Sequence, residues 1–323
     1  MSTSNPYVVI VGREARSPAV VVTKLADLPA GEFYVTDLVL NVDGETFSDA
    51  DLERMARVSH LRQIYLIEVK HYMCPLVTDR GIEALSQAAF AGGLEQLVLW
   101  TPLPSITDAA IPSINRFTGL REMHWRCPSV SDAGVQQLEL PELRLYSSRN
   151  IPYTNGSLSR LADRSPQISK LGIESTPLGG SDLTPLARWK LNQLIIVGCG
   201  LSDVDLPFIG SLIALKLLLL NDNPGISREG ISHLQPLKNL EHLELYHSKI
   251  DDESLLVIAG FAKLQRLNLN DTLITDLGLE SLAGMQALID LNIGSCPGVT
   301  EAGVRKLEAA LPRCQITSDL PKP

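Results

Sequence analysis

Aromatic side chains are scarce in this chain, at 5% of 323 residues, while 45% of the residues are hydrophobic. A core made from such a composition is aliphatic, and it is large enough to exclude a mainly disordered protein. An excess of positive charge is also missing, with 28 Lys and Arg against 37 Asp and Glu and a net charge of −9. That balance repels a phosphate backbone at long range, so no nucleic-acid partner is expected. The five cysteines contain no CxxC pair. They form neither a disulfide framework nor a zinc spacing, and free thiols in a reducing, cytoplasmic setting are expected. Long apolar runs are absent too: the densest, Leu212 to Leu220, is short and broken by Lys216, and no basic side chain precedes the run Tyr7 to Val11. Neither a signal peptide nor a membrane association is expected.

What the chain does have is a repeat. In the frame L-x-x-L-x-L-x-x-N the cleanest match is Leu215, Leu218, Leu220 and Asn223. Downstream the frame continues at Leu240/Leu243/Leu245, Leu264/Leu267/Leu269, Leu288/Leu291/Ile293 and Leu311/Cys314/Ile316. Upstream it fits Leu191/Leu194/Ile196, Ile168/Leu171/Ile173, Leu140/Leu143/Leu145, Leu120/Met123/Trp125, Leu94/Leu97/Leu99, Leu61/Ile64/Leu66 and Val35/Leu38/Leu40. From Ile168 onward the units start 23 to 25 residues apart; before it the intervals are rougher, including 20 residues into Leu140-to-Leu145 and 28 out of it. Between these strand signals a second pattern recurs, apolar-Ser/Thr-Asp followed by a small residue, as in Val77-Thr-Asp, Ile106-Thr-Asp, Val130-Ser-Asp, Leu201-Ser-Asp and Ile274-Thr-Asp. The hydroxyl caps a short helix by accepting from its free N–H groups, and the acid beside it meets the positive end of the helix dipole.

On these motifs the chain resembles the leucine-rich repeat family, and most of all its cysteine-containing and ribonuclease-inhibitor-like subfamilies, over residues 35 to 317. The resemblance implies an α/β solenoid of about twelve repeats: a curved horseshoe with a parallel sheet on the concave face and short helices on the convex face. The ninth place departs from the family pattern, being Asn only at Asn223, with Cys199, Cys296, Thr176, Thr272, Ser148 and Ser248 elsewhere and Pro102 and Pro128 in two early units. Residues 1 to 34 precede the first unit, and two apolar runs there predict a two-strand N-terminal cap over the exposed edge of the solenoid. Residues 318 to 323 form a C-terminal tail. Gly12 to Ser17 lacks the Gly-Lys-Ser/Thr ending of a phosphate loop.

Because side chains on a strand alternate faces, the fifth and seventh places of each unit should share the concave surface. Tyr65, Trp100, His124, Arg126, Arg144 and Tyr146 fall there in the N-terminal half, and they are residue types favoured at binding hot spots. Ile195, Val197, Leu217 and Leu219 form an apolar group, and Tyr246 follows beyond it. The partner-binding set is therefore Tyr65, Trp100, His124, Arg126, Arg144, Tyr146, Leu219 and Tyr246. His242, Glu244, Tyr246, His247, Arg266 and Asp290 form a polar group without a nucleophile, and His71 and Cys74 lie in a loop insertion. No catalytic residue, metal or cofactor is expected. The reading is a non-catalytic, monomeric protein-interaction module that binds a folded partner or peptide on its concave face. The alternative is an inhibitor or immunity-type protein that blocks the active site of a basic enzyme.

Overall fold

A computed structural model describes residues 7–12, 20–22, 34–41, 48–56, 60–67, 76–100 and 102–320, with backbone course alone for the three N-terminal strands. The chain divides into two compact units, Met1–Ile168 and Ser169–Pro323.

In the first unit β1 (Tyr7–Gly12) pairs antiparallel with both β2 (Val20–Val22) and β3 (Tyr34–Asn41). From β3 onward every pairing is parallel, through β4 (His60–Ile67), β5 (Gln96–Leu99), β6 (Glu122–Trp125) and β7 (Leu145–Arg149). Short helices lie between the strands: α1 (Asp49–Met55), α2 (Asp79–Ser86), α3 (Ile111–Ile114), α4 (Asp132–Val135) and, after β7, α5 (Asn155–Arg164). The second unit repeats the scheme with seven parallel strands in chain order. They are β8 (Lys170–Glu174), β9 (Gln193–Val197), β10 (Leu217–Leu219), β11 (His242–Glu244), β12 (Arg266–Asn268), β13 (Asp290–Asn292) and β14 (Gln315–Thr317). Its helices are α6 (Leu206–Gly210), α7 (Arg228–Ser232), α8 (Asp252–Ile258), α9 (Asp276–Leu282) and α10 (Glu301–Ala310).

The repeat frame sets the strand register. Leu38, Ile64, Leu97 and Met123 stand opposite one another along the strands of the first unit, as do Leu171, Leu194, Leu218, Leu243, Leu267 and Leu291 along those of the second. From Ile64 onward these side chains are buried, and in each unit they stack into an aliphatic core on one face of the strands. Strands β5, β6 and β9 alternate buried and half-exposed residues, which leaves their other face open.

Two units depart from the expected frame. Across β6 and β7, Met123 pairs with Tyr146 and Trp125 with Ser148, so this unit reads Leu143/Tyr146/Ser148. It starts three residues later than its leucines suggest, which turns the uneven intervals of 20 and 28 residues into 23 and 25. A hydroxyl network makes the polar substitutes tolerable in the core. Trp125 Nε1 donates to the Tyr146 hydroxyl at 3.0 Å, that hydroxyl shares a 2.5 Å bond with Tyr153, and the Tyr153 hydroxyl donates to Ser148 Oγ at 2.6 Å. Every buried polar atom of the cluster is thereby paired. At the C-terminal end, Ile316 stands opposite Leu291 and so fills the fourth place, not the sixth, while Cys314 falls at the second place of its unit and is half-exposed.

Adjacent units are joined through the aspartate of the Ser/Thr-Asp pattern. Asp49, Asp79, Asp108 and Asp132 each accept two bonds from the next cap residue, the N–H of Thr78, Thr107, Ser131 or Thr154 to Oδ1 at 2.6–2.7 Å and its hydroxyl to Oδ2. Asp203, Asp252 and Asp276 hold Ser227, Thr275 and Thr300 in the same way. The small residue of the pattern makes room for this carboxylate. A Cβ at Gly81, Gly134, Gly230, Gly278 or Gly303 would overlap the preceding unit's Asp49, Asp108, Asp203, Asp252 or Asp276. Where Arg228 replaces the aspartate, Asp251 instead takes its bond from its own helix, donating its N–H to Ser254 Oγ at 3.2 Å. Ser202 likewise donates to Asp205 Oδ2 at 2.8 Å.

Candidate interaction face

The open sheet face is built from the third, fifth and seventh places, and each strand is followed by a tight turn that ends it. The eighth residue adopts a left-handed conformation in seven units: Asn150, Ser175, Gly198, Asp222, His247, Asp271 and Ser295, with φ between 52° and 63°. Asn, Asp and Gly accept this region readily, and the recurrence of the turn fixes where each strand's outward residues stop. The ninth residue ties the turn down. Asn223 donates through Nδ2 to Ile196 O and Leu220 O and accepts at Oδ1 from Cys199 and Leu201 N–H. Thr272 and Cys296 do less of the same work, each donating to Leu269 O.

In the first unit the face carries Glu122 and His124 from β6, Leu145, Ser147 and Arg149 from β7, and Trp100 and Arg126 just past β5 and β6. His124 is half-buried, and its ring forms a T-shaped contact with Trp100, with centroids 6.0 Å apart and planes at 81°. Burial holds the His124 imidazole below its ordinary pKa, so it is neutral at neutral pH.

Trp100, His124 and Arg126 are thus brought together, but two expected members are not. Tyr146 is fully buried among Trp125, Tyr153 and Ser148, because it takes the inward fourth place of its unit. Arg144 is exposed but precedes β7; its N–H bonds Arg121 O, which sets it level with Arg121 instead of His124. Arg149, half-buried at the seventh place, holds the position assigned to Tyr146. The uneven intervals around Leu140 were the signal that could have found it. Tyr65 lies on β4 opposite Val39 and Val98, but its side chain is outside the described residues, as are His71 and Cys74.

In the second unit the face presents Ile195, Val197, Leu217 and Leu219, all half-buried, on β9 and β10. Next to them β11 supplies His242 and Glu244, with Tyr246 beyond its end. Glu244 is fixed from both sides. His242 Nε2 lies 2.8 Å from Oε1, and Asn221 Nδ2 donates to Oε2 at 2.6 Å. These bonds, the one to His242 foremost, outweigh burial and hold the carboxyl below its usual range. Asn221 Oδ1 in turn accepts from the Tyr246 N–H at 2.9 Å.

Burial pushes the Cys199 and Cys314 thiols up to about 11, and Cys127 higher still, so none of the three offers a thiolate near neutral pH. Cys127, Cys199, Cys296 and Cys314 are free of disulfides. Among the described residues no group of three His, Cys, Asp or Glu side chains could hold a metal ion, and no helix is long and apolar enough to cross a membrane.

No protein-family model matches the chain, and no curated protein does. Solved structures do. A chain of the yeast Rad7 and Elc1 complex aligns at 16% identity and a TM-score of 0.53 over 84% of this chain and 78% of its own. The internalin InlF of Listeria monocytogenes aligns at 16% identity and 0.53 over 93% of both chains. A leucine-rich repeat protein of Leptospira interrogans aligns at 16% identity and 0.52 over 82% of this chain and 74% of its own. At such identities the likeness concerns the fold alone, and the fold of this chain is the open α/β leucine-rich repeat solenoid.

Proposed function

We propose that the chain is a non-catalytic protein-interaction module that holds a folded partner or peptide on the open sheet face, the face expected to be concave. One observation carries this reading: Trp100, Ile195, Val197, Leu217, Leu219 and Tyr246 stand half-exposed at outward places of their repeats. No core packing requires large apolar side chains there, since other units use Ser147, Gly172, Asn268 or Asn292 at the fifth place. Aromatic anchors on a rigid sheet fit the usual anatomy of a binding hot spot. His124 and Arg126 stand beside Trp100, so this part of the face sets a cation next to aromatic rings. The free thiols suit a reducing, cytoplasmic setting, and the protein acts as a monomer in this reading.

The test is capture from a lysate of the source organism on immobilised full-length protein, with the retained proteins identified. Trp100→Ala and Leu219→Ala, made separately, should each weaken capture of the same partner by about tenfold or more while the melting temperature stays within a few degrees. Capture unchanged by both variants would move the binding surface to the helices or loops and defeat the reading.

A further inference from the structure

The second unit allows a statement about what kind of partner segment the face takes. Leu217 pairs with His242 and Leu219 with Glu244 across β10 and β11, and Leu219 pairs with Ile195 across β9 and β10. Neighbouring strands lie about 4.8 Å apart, so the apolar platform ends where the Glu244 carboxylate begins. That carboxylate does not swing: His242 holds one oxygen and Asn221 the other. A carboxylate offers about four acceptor sites; His242, Asn221 and a lesser bond from Asn268 take three of them, which leaves one for an incoming donor. The surroundings share its sign. Along the strands of this unit and the turns that end them stand Glu174, Asp222, Asp271 and Asp290, against Lys170 and Arg266. Lys216, at the foot of β10, is already paired with Glu241 at 2.9 Å.

We propose that β9 to β11 form a docking site for an extended basic segment of another protein, with a Lys or Arg stem laid across Leu217 and Leu219 and its cationic head on Glu244. The argument is charge complementarity joined to shape. An aliphatic stem covers apolar surface while its charged end reaches an oriented, half-buried carboxylate, where an ion pair is worth more than at a fully wet surface. An extended segment fits because its side chains alternate with period two and present every second residue to the sheet. Tyr246 continues the same face beyond Glu244 and offers a ring to a second cation. This proposal rests on the open-face reading above and narrows it to one partner chemistry.

The probe is a fluorescein-labelled peptide of alternating Leu and Arg, titrated with the full-length chain and followed by fluorescence anisotropy. Alternating Leu/Glu and Ser/Arg peptides serve as comparators. Leu/Arg should bind, Ser/Arg should bind about tenfold or more weakly, and Leu/Glu should not bind. Glu244→Gln should lose about tenfold or more in affinity for Leu/Arg, and Leu219→Arg, placed on the open face away from the core, should lose at least as much. Raising NaCl from about 0.05 to 0.5 M should weaken binding, since the ion pair is only half shielded from solvent. Binding of Leu/Glu as tight as Leu/Arg, or affinity untouched by both variants, overturns the proposal. Self-association abolished by Leu219→Arg would give the face to a second copy of this chain and overturn it too. If lysate capture is lost with Leu219→Ala but is indifferent to Glu244→Gln, the interaction reading stands and the basic segment alone is refuted.

Discussion

Single residues decide more here than the leucine count suggests, and His124 is the most testable. Its imidazole is held below the ordinary value by burial, so the unfolded chain takes up a proton first as the solution is acidified. Stability therefore falls as pH drops through about 6.5 and levels off once the folded imidazole also protonates; above about 6.5 the residue contributes no pH dependence. His124→Gln should flatten that part of the profile. Urea midpoints at about pH 7.5 and 5.5 measure it, and a wild-type-like slope in the variant would mean that the shift lies elsewhere. Tyr146 makes the opposite point about legibility. A tyrosine between Leu145 and Ser147 in an Arg- and Ser-rich stretch reads as a surface contact, yet its hydroxyl bonds Trp125 and Tyr153 inside the core. The residues beside it do not distinguish the two, since the partner that makes burial tolerable comes from another strand; only the uneven repeat intervals around Leu140 point to the inward place.

At the scale of elements, the short helices are held less by propensity than by the aspartate that reaches across from the unit before. Helices of four to ten residues are marginal by themselves, so the joint matters. The sequence reading saw the aspartate as a partner for its own helix dipole; the structure gives it the next unit's cap, as with Asp252 and Thr275 at 2.7 Å. The glycine three residues after the cap follows from that contact. Gly278→Ala would drive its Cβ into Asp252 and should cost about 1–3 kcal/mol. Ala110 occupies the matching place in another unit, where the turn winds as a 3-10 helix, so the strain is borne by a local change and not by unfolding. Asp252→Ala removes the obstacle together with two hydrogen bonds, and the double variant should therefore be less unstable than the two single losses added together. Denaturant midpoints of the four proteins close this cycle, and strict additivity would show that the glycine serves another purpose.

For the molecule as a whole, charge sets the first filter on partners. A net charge of −9 repels polyanions, and the chain should form no complex with a random DNA duplex at about 0.15 M salt in a mobility-shift assay. A retarded band that disappears with rising salt would contradict this. The sequence by itself determined the architecture. A period of 23 to 25 residues with apolar places at fixed offsets leaves only stacked strand-helix units as a way to bury every leucine, and the frame predicted the pairing of Leu218, Leu243 and Leu267. It also placed Trp100, His124 and Leu219 on the open face, because period two follows from the strand alone. Only the tertiary structure decided the register of the unit around Tyr146, the neighbours that fix Glu244, and the exchange of aspartates between units. Each of these draws on at least one hydrogen bond between residues 21 to 29 positions apart, such as Trp125 with Tyr146, Asn221 with Glu244 and Asp49 with Thr78, beside local ones such as His242 with Glu244. A repeat frame tells which face a residue takes, but not which polar partner waits there, and in this chain the polar partners set the fine structure of the site.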